Sequence, residues 1–308
     1  MPRSRRAGST TPRKDDADPP SWFTKALAHR PEHAATQVDG CEIHLRVWGP
    51  TGQPPVVLVH GGAAHSGWWD HIAPLLCANH RVVALDLSGH GDSGQRPTYG
   101  RSEWAKEVMA AATAVGAVGS PTIIGHSMGG WVAATAAYEY GDQIDSVIVM
   151  DTPLREKAPE SAELRSHHER PRTYHSKDDI LSRFRVVPEQ EHILPYIREH
   201  VAAHSIRRRG LHWEWKFDPK IFDEALSDAA TPDEEVLEGM LAGIICRVGY
   251  VHSENGLVDA AMASQLRFLL QLRGPFVTLP EAGHHPMFDQ PLALVAVIRT
   301  LLEFWSIT

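Results

Sequence analysis

Unbroken runs of Val, Ile and Leu recur along the chain, each only a few residues long. Such runs predict strands covered on both faces rather than half-exposed ones, which would alternate apolar with polar residues. The expected strands are Glu42–Trp48, Pro55–His60, Arg81–Leu87, Thr122–Gly125, Ser146–Asp151, Ile244–His252 and Pro275–Pro280. Between them lie helical patterns over Trp68–Ala78, Glu103–Val118, Trp131–Tyr140, Val258–Leu272 and Leu292–Phe304. Strand and helix take turns, which predicts an α/β chain: a mostly parallel central sheet with helices on both faces. From about Pro153 to Met240 the rhythm breaks; His, Arg, Glu and Pro are abundant and no central strand stands out. The expectation is an inserted helical cap over residues 153–240, with the core built from 21–152 and 241–308. Residues 1–20 carry almost no large apolar side chains and are expected to form a disordered tail.

At 308 residues and 43% hydrophobic, the chain can bury a large core in one domain with an insertion. A formal net charge of −8 argues against a general nucleic-acid binder. Cys41, Cys77 and Cys246 are scattered and odd in number, which fits a reduced, cytoplasmic protein better than a disulfide framework. No apolar run approaches the ~20 residues needed to cross a bilayer. The Arg5-Arg6 pair lacks the hydrophobic segment of an export signal. The expected partner is thus a small-molecule substrate, with neither nucleic acid nor membrane; the oligomeric state stays open.

Candidate chemistry centres on Ile123-Ile124-Gly125-His126-Ser127-Met128-Gly129-Gly130, where a strand runs through G-x-S-x-G into a helix. A serine so placed sits on a tight turn with its hydroxyl lifted clear of the sheet and a helix N-terminus behind it. Side chains at Gly125 and Gly129 would collide with neighbouring backbone. A second serine, in Gly91-Asp92-Ser93-Gly94, leads into a polar, proline-containing segment and is read as a turn residue. Serine needs a base. The loop Gly283-His284-His285-Pro286 follows the last expected strand, and loops at the carboxyl ends of parallel strands share one crevice. His284 leads that loop, whereas Pro286 restricts His285 to extended shapes, so His284 is favoured. The loop His60-Gly61-Gly62-Ala63 offers oxyanion donors: the amide of Gly62 pairs with that of Met128, the residue after the nucleophile. His60 itself is expected to brace that loop. Two carboxylates preserve the order serine, acid, histidine: Asp151 and Glu254.

The motifs Leu58-Val59-His60-Gly61-Gly62, Leu85-Asp86-Leu87-Ser88-Gly89-His90-Gly91-Asp92-Ser93, Gly125-His126-Ser127-Met128-Gly129-Gly130 and Gly283-His284-His285-Pro286-Met287-Phe288 together resemble the α/β-hydrolase family. The resemblance runs from roughly Gln37 to the C-terminus, cap excepted. It implies a cofactor-free serine hydrolase that cleaves a small carboxylic ester or lactone through an acyl-enzyme. A C–C bond hydrolase and a slow ligand sensor are the alternatives. In that family the acid usually follows the penultimate core strand, a position that falls on Gly256 here. Some relatives place it one strand earlier, where Asp151 stands, so Asp151 is preferred to Glu254. Asp86 and His90-Gly91 are expected to hold loops together. Trp68 and Trp69 are read either as core or as lining of an acyl pocket. Trp213, Trp215 and Phe217 are cap aromatics that could roof an apolar substrate or pack cap on core. His200 and His204 share a helical spacing, but no H-E-x-x-H exists and no metal is expected. Nor does a G-x-G-x-x-G follow a strand, which argues against a dinucleotide.

Overall fold

A computed structural model describes residues 18–154, 173–223, 234–270 and 274–307. The expected tail therefore lies almost wholly outside the described residues, as does part of the expected cap. The chain opens with α1 (Ser21–Ala28) and two strands, β1 (Glu32–Val38) and β2 (Cys41–Trp48). Then come β3 (Pro55–Val59), β4 (Arg81–Leu85), α2 (Arg101–Ala114), β5 (Thr122–His126), α3 (Met128–Glu139) and β6 (Ser146–Met150). The inserted stretch holds α4 (Lys177–Ser182), α5 (Pro195–His204), β7 (Ile206–Arg209) and β8 (His212–Trp215). The chain closes with α6 (Glu234–Gly243), β9 (Arg247–Asn255), α7 (Ala260–Leu270), β10 (Phe276–Gly283), the short α8 (Pro286–Asp289) and α9 (Pro291–Ser306).

Eight strands form one sheet in the order β1-β2-β4-β3-β5-β6-β9-β10. Pairing is parallel from β4 through to β10, whereas β2 runs antiparallel to both its neighbours. Every residue of β3, β4, β5 and β6 is buried. The pleat sends alternate side chains into two separate cores, which explains unbroken apolar runs in strands of period two. Val57, Val59, Val83, Leu85, Ile123, Val147 and Val149 face Trp104 and Val108 of α2 and Val132 and Ala136 of α3. Val56, Leu58, Val82, Ala84, Ile124, Ile148 and Met150 face Leu294, Ile298 and Leu302 of α9 and Phe23 of α1. Across β3 to β6 both faces are thus sealed.

The inserted segment packs outside this sheet. Its described part holds two helices, a hairpin that pairs Ile206 with Trp215, and a 3-10 turn over Pro219–Phe222. The hairpin was not foreseen, because Arg207-Arg208-Arg209 disguises a two-stranded ribbon as a charge run. It is anchored to the core where the Gly91 amide donates to the Lys216 carbonyl at 2.6 Å and Lys216 pairs with Asp92 at 2.7 Å. Over the expected helix Trp68–Ala78 the chain forms two short 3-10 turns, Ser66–Trp69 and Ala73–Leu75. Pro74 removes an amide that a continuous helix would need there.

The local constraint at the end of β5 is severe. Ser127 adopts φ 55 and ψ −125. A Cβ on Gly125 would lie 2.1 Å from the Gly129 carbonyl oxygen, and one on Gly129 would lie 2.3 Å from that of His60. Both atoms are backbone and cannot swing aside. Gly125→Ala is therefore expected to destabilise the fold by about 1–3 kcal/mol or more. Gly239→Ala, in an open position of α6 with nothing within 4 Å, is expected to stabilise it by about 0.5–1 kcal/mol. Urea unfolding of the two variants measures the contrast.

Candidate active site

Ser127 lies between β5 and α3, and its backbone is held on three sides. Its amide donates to the Met150 carbonyl at 3.0 Å. Its carbonyl accepts from the Gly130 amide at 2.8 Å and from the Thr152 hydroxyl at 2.9 Å. The side chain is then aimed at the loop after β10. Ser127 Oγ lies 2.9 Å from His284 Nε2, and His284 Nδ1 lies 2.7 Å from Asp151 Oδ2. A carboxylate can only accept, so Nδ1 carries the proton and Nε2 presents its lone pair to the serine hydroxyl. His284 and Asp151 are buried, the latter completely.

Asp151 takes a left-handed φ of 42 as the chain leaves β6. Its Oδ2 also accepts from the Leu257 amide at 2.9 Å, and Oδ1 from the Ser253 amide at 3.4 Å. A Cβ on Gly256 would come within 2.1 Å of Oδ2. Gly256 thus leaves room that the Asp151 carboxylate, arriving from β6, fills. Glu254 is exposed and does not reach the histidine; its Oε2 accepts from the Glu281 amide at 2.8 Å and ties the β9 loop to β10.

The loop after β3 lies against the serine: a Cβ on Gly61 would be 3.3 Å from Ser127 Cβ. Gly62 follows, flanked by Met128 Sδ and by Phe222 of the inserted segment at 3.7 and 3.8 Å from where its Cβ would be. Met128 opens α3, so its amide is among the N-terminal donors that no helical carbonyl satisfies. His60 braces this loop as expected. Its Nδ1 donates to the Gly61 carbonyl at 2.7 Å and its Nε2 accepts from the Leu87 amide at 3.1 Å. Burial holds His60 below the ordinary histidine range, which preserves the neutral ring this pairing needs.

Asp86 gathers the surrounding loops, accepting from His44 Nδ1 at 2.8 Å and from the amides of Ser66 and Asp92 at 2.6 and 2.9 Å. Burial alone would raise its carboxyl, but His44 and these donors outweigh that and hold it far below the usual carboxylate range. Ser93 is a turn residue, its hydroxyl donating to the Asp86 carbonyl at 2.6 Å.

Among the aromatics, Trp69 is fully buried in the core. Trp68 packs on His285 and Phe288, with ring centroids 5.4 and 4.8 Å away. Trp213 and Trp215 sit on β8, where Trp215 meets Tyr174 and Phe184 inside the inserted segment. The aromatic beside Gly62 is instead Phe222, which sequence reasoning missed. Its neighbour in space, Phe217, was the only available signal, the two ring centroids lying 6.1 Å apart. His285 turns away from Ser127, its Nε2 donating to the Val187 carbonyl at 3.2 Å. Among the described residues, three groups bring one potential metal-ligand atom per residue within 4.8 Å of one another: His126, His284 and His285; His44, Asp86 and Asp92; and Asp70, His200 and His204. The second is engaged in the contacts just described, and so is the first, where His126 Nε2 also donates to the His284 carbonyl at 2.7 Å. Cys41, Cys77 and Cys246 form no disulfide with one another. Among the described residues, no helix is long and apolar enough to cross a membrane.

Comparison with known proteins places this geometry in context. The model of the alpha/beta hydrolase family matches residues 56–297. Esterase Rv0045c of Mycobacterium tuberculosis is 27% identical over 266 residues, 83% of this chain and 85% of that protein. A serine hydrolase-like protein of Danio rerio is 38% identical over 114 residues, 36% of this chain. That match spans only about a third, 35%, of the relative's own length. Among solved structures, an E-2-(acetamidomethylene)succinate hydrolase superposes with a TM-score of 0.75 at 19% identity, covering 88% of this chain and 100% of that one. At that identity the likeness speaks for the fold alone. The family match runs from β3 into α9, taking in the strand ends that carry Ser127, Asp151 and His284, and the chain therefore belongs to the alpha/beta hydrolase family.

Proposed function

We propose that the chain hydrolyses small carboxylic esters or lactones through an acyl-enzyme on Ser127. The observation that carries this reading is the continuous hydrogen-bonded chain from Ser127 Oγ through His284 to Asp151, at 2.9 and 2.7 Å. Ser127 attacks the ester carbonyl while its proton passes to His284 Nε2. Asp151 holds the ring in the tautomer that can accept and stabilises the imidazolium once formed. The carbonyl oxygen becomes an oxyanion facing the Gly62 and Met128 amides; loss of one such donor typically costs about 3–4 kcal/mol of transition-state stabilisation. The intermediate collapses as His284 returns its proton to the departing alcohol, which in a lactone stays attached to the acyl group. Water then adds to the acyl-enzyme by the same route in reverse, with His284 as base, and frees Ser127. A serine in place of a carboxylate nucleophile argues against the alkyl-enzyme route to epoxides and haloalkanes.

Phe222 and Met128 Sδ beside Gly62 give the acyl side an apolar wall. This favours an uncharged acyl group of modest size.

A fluorophosphonate is expected to add one covalent mass to the wild type and none to Ser127→Ala; labelling of the variant would sink the nucleophile assignment. Asp151→Asn is expected to lower kcat by up to ~10⁴-fold, as loss of an orienting carboxylate does. Glu254→Gln keeps its acceptor for the Glu281 amide and should change kcat by no more than about twofold. The reverse ranking in steady-state assays would reassign the acid. Phe222→Ala should shift the optimum of a p-nitrophenyl ester series toward longer acyl chains. An unchanged acyl profile would remove Phe222 from the pocket.

A further inference from the structure

Asp70, His200 and His204 converge at the seam between the sheet domain and the inserted segment, apart from the groups assigned to ester chemistry. His200 and His204 are four residues apart on α5 and so share one face, their ring centroids 4.4 Å apart. Asp70 follows the Ser66–Trp69 turn and is buried. Its Oδ2 accepts from His200 Nε2 at 2.9 Å, while Arg46 Nη1 holds Oδ1 at 2.8 Å and Oδ2 at 3.0 Å. His204 Nδ1 donates to the His200 carbonyl at 2.8 Å, which leaves Nε2 with its lone pair. Histidines that ligate metals are commonly oriented by just such a contact through the other ring nitrogen. The three residues help line a cavity of about 530 Å³ that Arg30 and His33 also border.

We propose that Asp70, His200 and His204 bind a divalent transition-metal ion of the Zn²⁺ class, which fastens α5 to the core. Two imidazole nitrogens and one carboxylate oxygen make up the protein share of a four-coordinate Zn²⁺ site, and the cavity supplies room for water in the open position. Asp70 Oδ2 and His200 Nε2 exchange their mutual hydrogen bond for the ion. The His200 ring proton moves to Nδ1. Arg46 keeps Oδ1 and orients the carboxylate from outside the coordination sphere.

Two features of the resting site favour this. Burial pushes His204 below the ordinary histidine range, toward the neutral form that ligates. For Asp70, burial raises the carboxyl but His200 and Arg46 outweigh it, leaving the acid below the usual range and charged. Imidazole ligands select Zn²⁺, Co²⁺ and Ni²⁺ over Mg²⁺ and Ca²⁺. Arg30 and Arg46 add a repulsion that a weakly held hard cation would not overcome. Bound there, the ion would add to a seam that the contact between His65 Nε2 and Ser205 Oγ, at 2.9 Å, and the Lys216 contacts already hold.

The test is titration of the full chain, stripped with chelator, by Co²⁺. One equivalent should give visible d–d absorption that Zn²⁺ displaces and Mg²⁺ does not. His204→Ala and, separately, His200→Ala should each weaken binding more than about tenfold. Both side chains are only partly buried, and circular dichroism should find the metal-free variants folded. Zn²⁺ should raise Tm in the wild type and not in the variants. Absence of stoichiometric binding, or binding that survives both substitutions, overturns the proposal. Loss in His285→Ala with retention in His204→Ala assigns the ion to the imidazoles around His284 and overturns it equally.

Discussion

Where β3, β5 and α3 meet, backbone lies directly against backbone. The His60 carbonyl occupies the space beside Gly129 that any side chain would need, and the Gly129 carbonyl does the same to Gly125. Two chains of backbone touch there with no side chain between them. The contact sets the distance from the end of β3 to the first turn of α3, and therefore the distance from the Gly62 amide to that of Met128. It also forces Ser127 into a left-handed φ of 55, a conformation a serine adopts only where its surroundings over-determine it. The surroundings do so through the Met150, Gly130 and Thr152 hydrogen bonds on its amide and carbonyl. Ser127 and the loop after β3 are consequently one unit at the strand ends, positioned by strands rather than by a free loop.

The carboxylate obeys a similar steric logic. Asp151 leaves β6, a central strand, yet His284 follows β10 at the sheet edge, with β9 between them. The carboxylate spans that gap because Gly256, after β9, has no side chain to block it and because the Leu257 and Ser253 amides point at it. The parallel register of β6 on β9 supports the crossing, with Met150 opposite Val251 and the Asp151 amide donating to the Val251 carbonyl at 2.9 Å. Tyr250 fixes the next residue, its hydroxyl accepting from the Thr152 amide and donating to the Thr152 carbonyl at 2.9 and 2.7 Å.

The parallel strands and the helices flanking them were legible in the sequence because burial on both faces leaves a composition no other element produces. The apolar runs of β3 to β6 carry that mark directly. β1 does not: Glu32-His33-Ala34-Ala35-Thr36-Gln37-Val38 is an edge strand, largely exposed, and pairs through backbone groups that leave no trace in side-chain polarity. The Trp68–Ala78 stretch has helical spacing of apolar residues, but Pro74 and the demands of the Asp86 hub, which takes the Ser66 amide, cut it into 3-10 turns. Ser127, His284 and the choice between Asp151 and Glu254 could be framed from strand ends alone, since a parallel sheet brings those ends together. Phe222 could not. Its approach to Gly62 depends on how the inserted segment lies over the sheet edge, and nothing local in Pro219-Lys220-Ile221-Phe222 encodes that docking.

The neighbours of His284 explain why a site so rich in imidazole can still direct one proton. His126 and His285 lie with ring centroids 4.8 and 4.6 Å from it. Burial, and then repulsion from His284, hold both well below the ordinary histidine range. Each also spends an N–H on a carbonyl: His126 on that of His284 at 2.7 Å, His285 on that of Val187 at 3.2 Å. Neither has a carboxylate behind it, whereas His284 has Asp151. In the proposed reaction the proton leaving Ser127 therefore meets three imidazoles but only one whose charged form is stabilised. The two rings pack against His284 and help hold its loop, and the inserted segment, through Val187, has a hand on that loop.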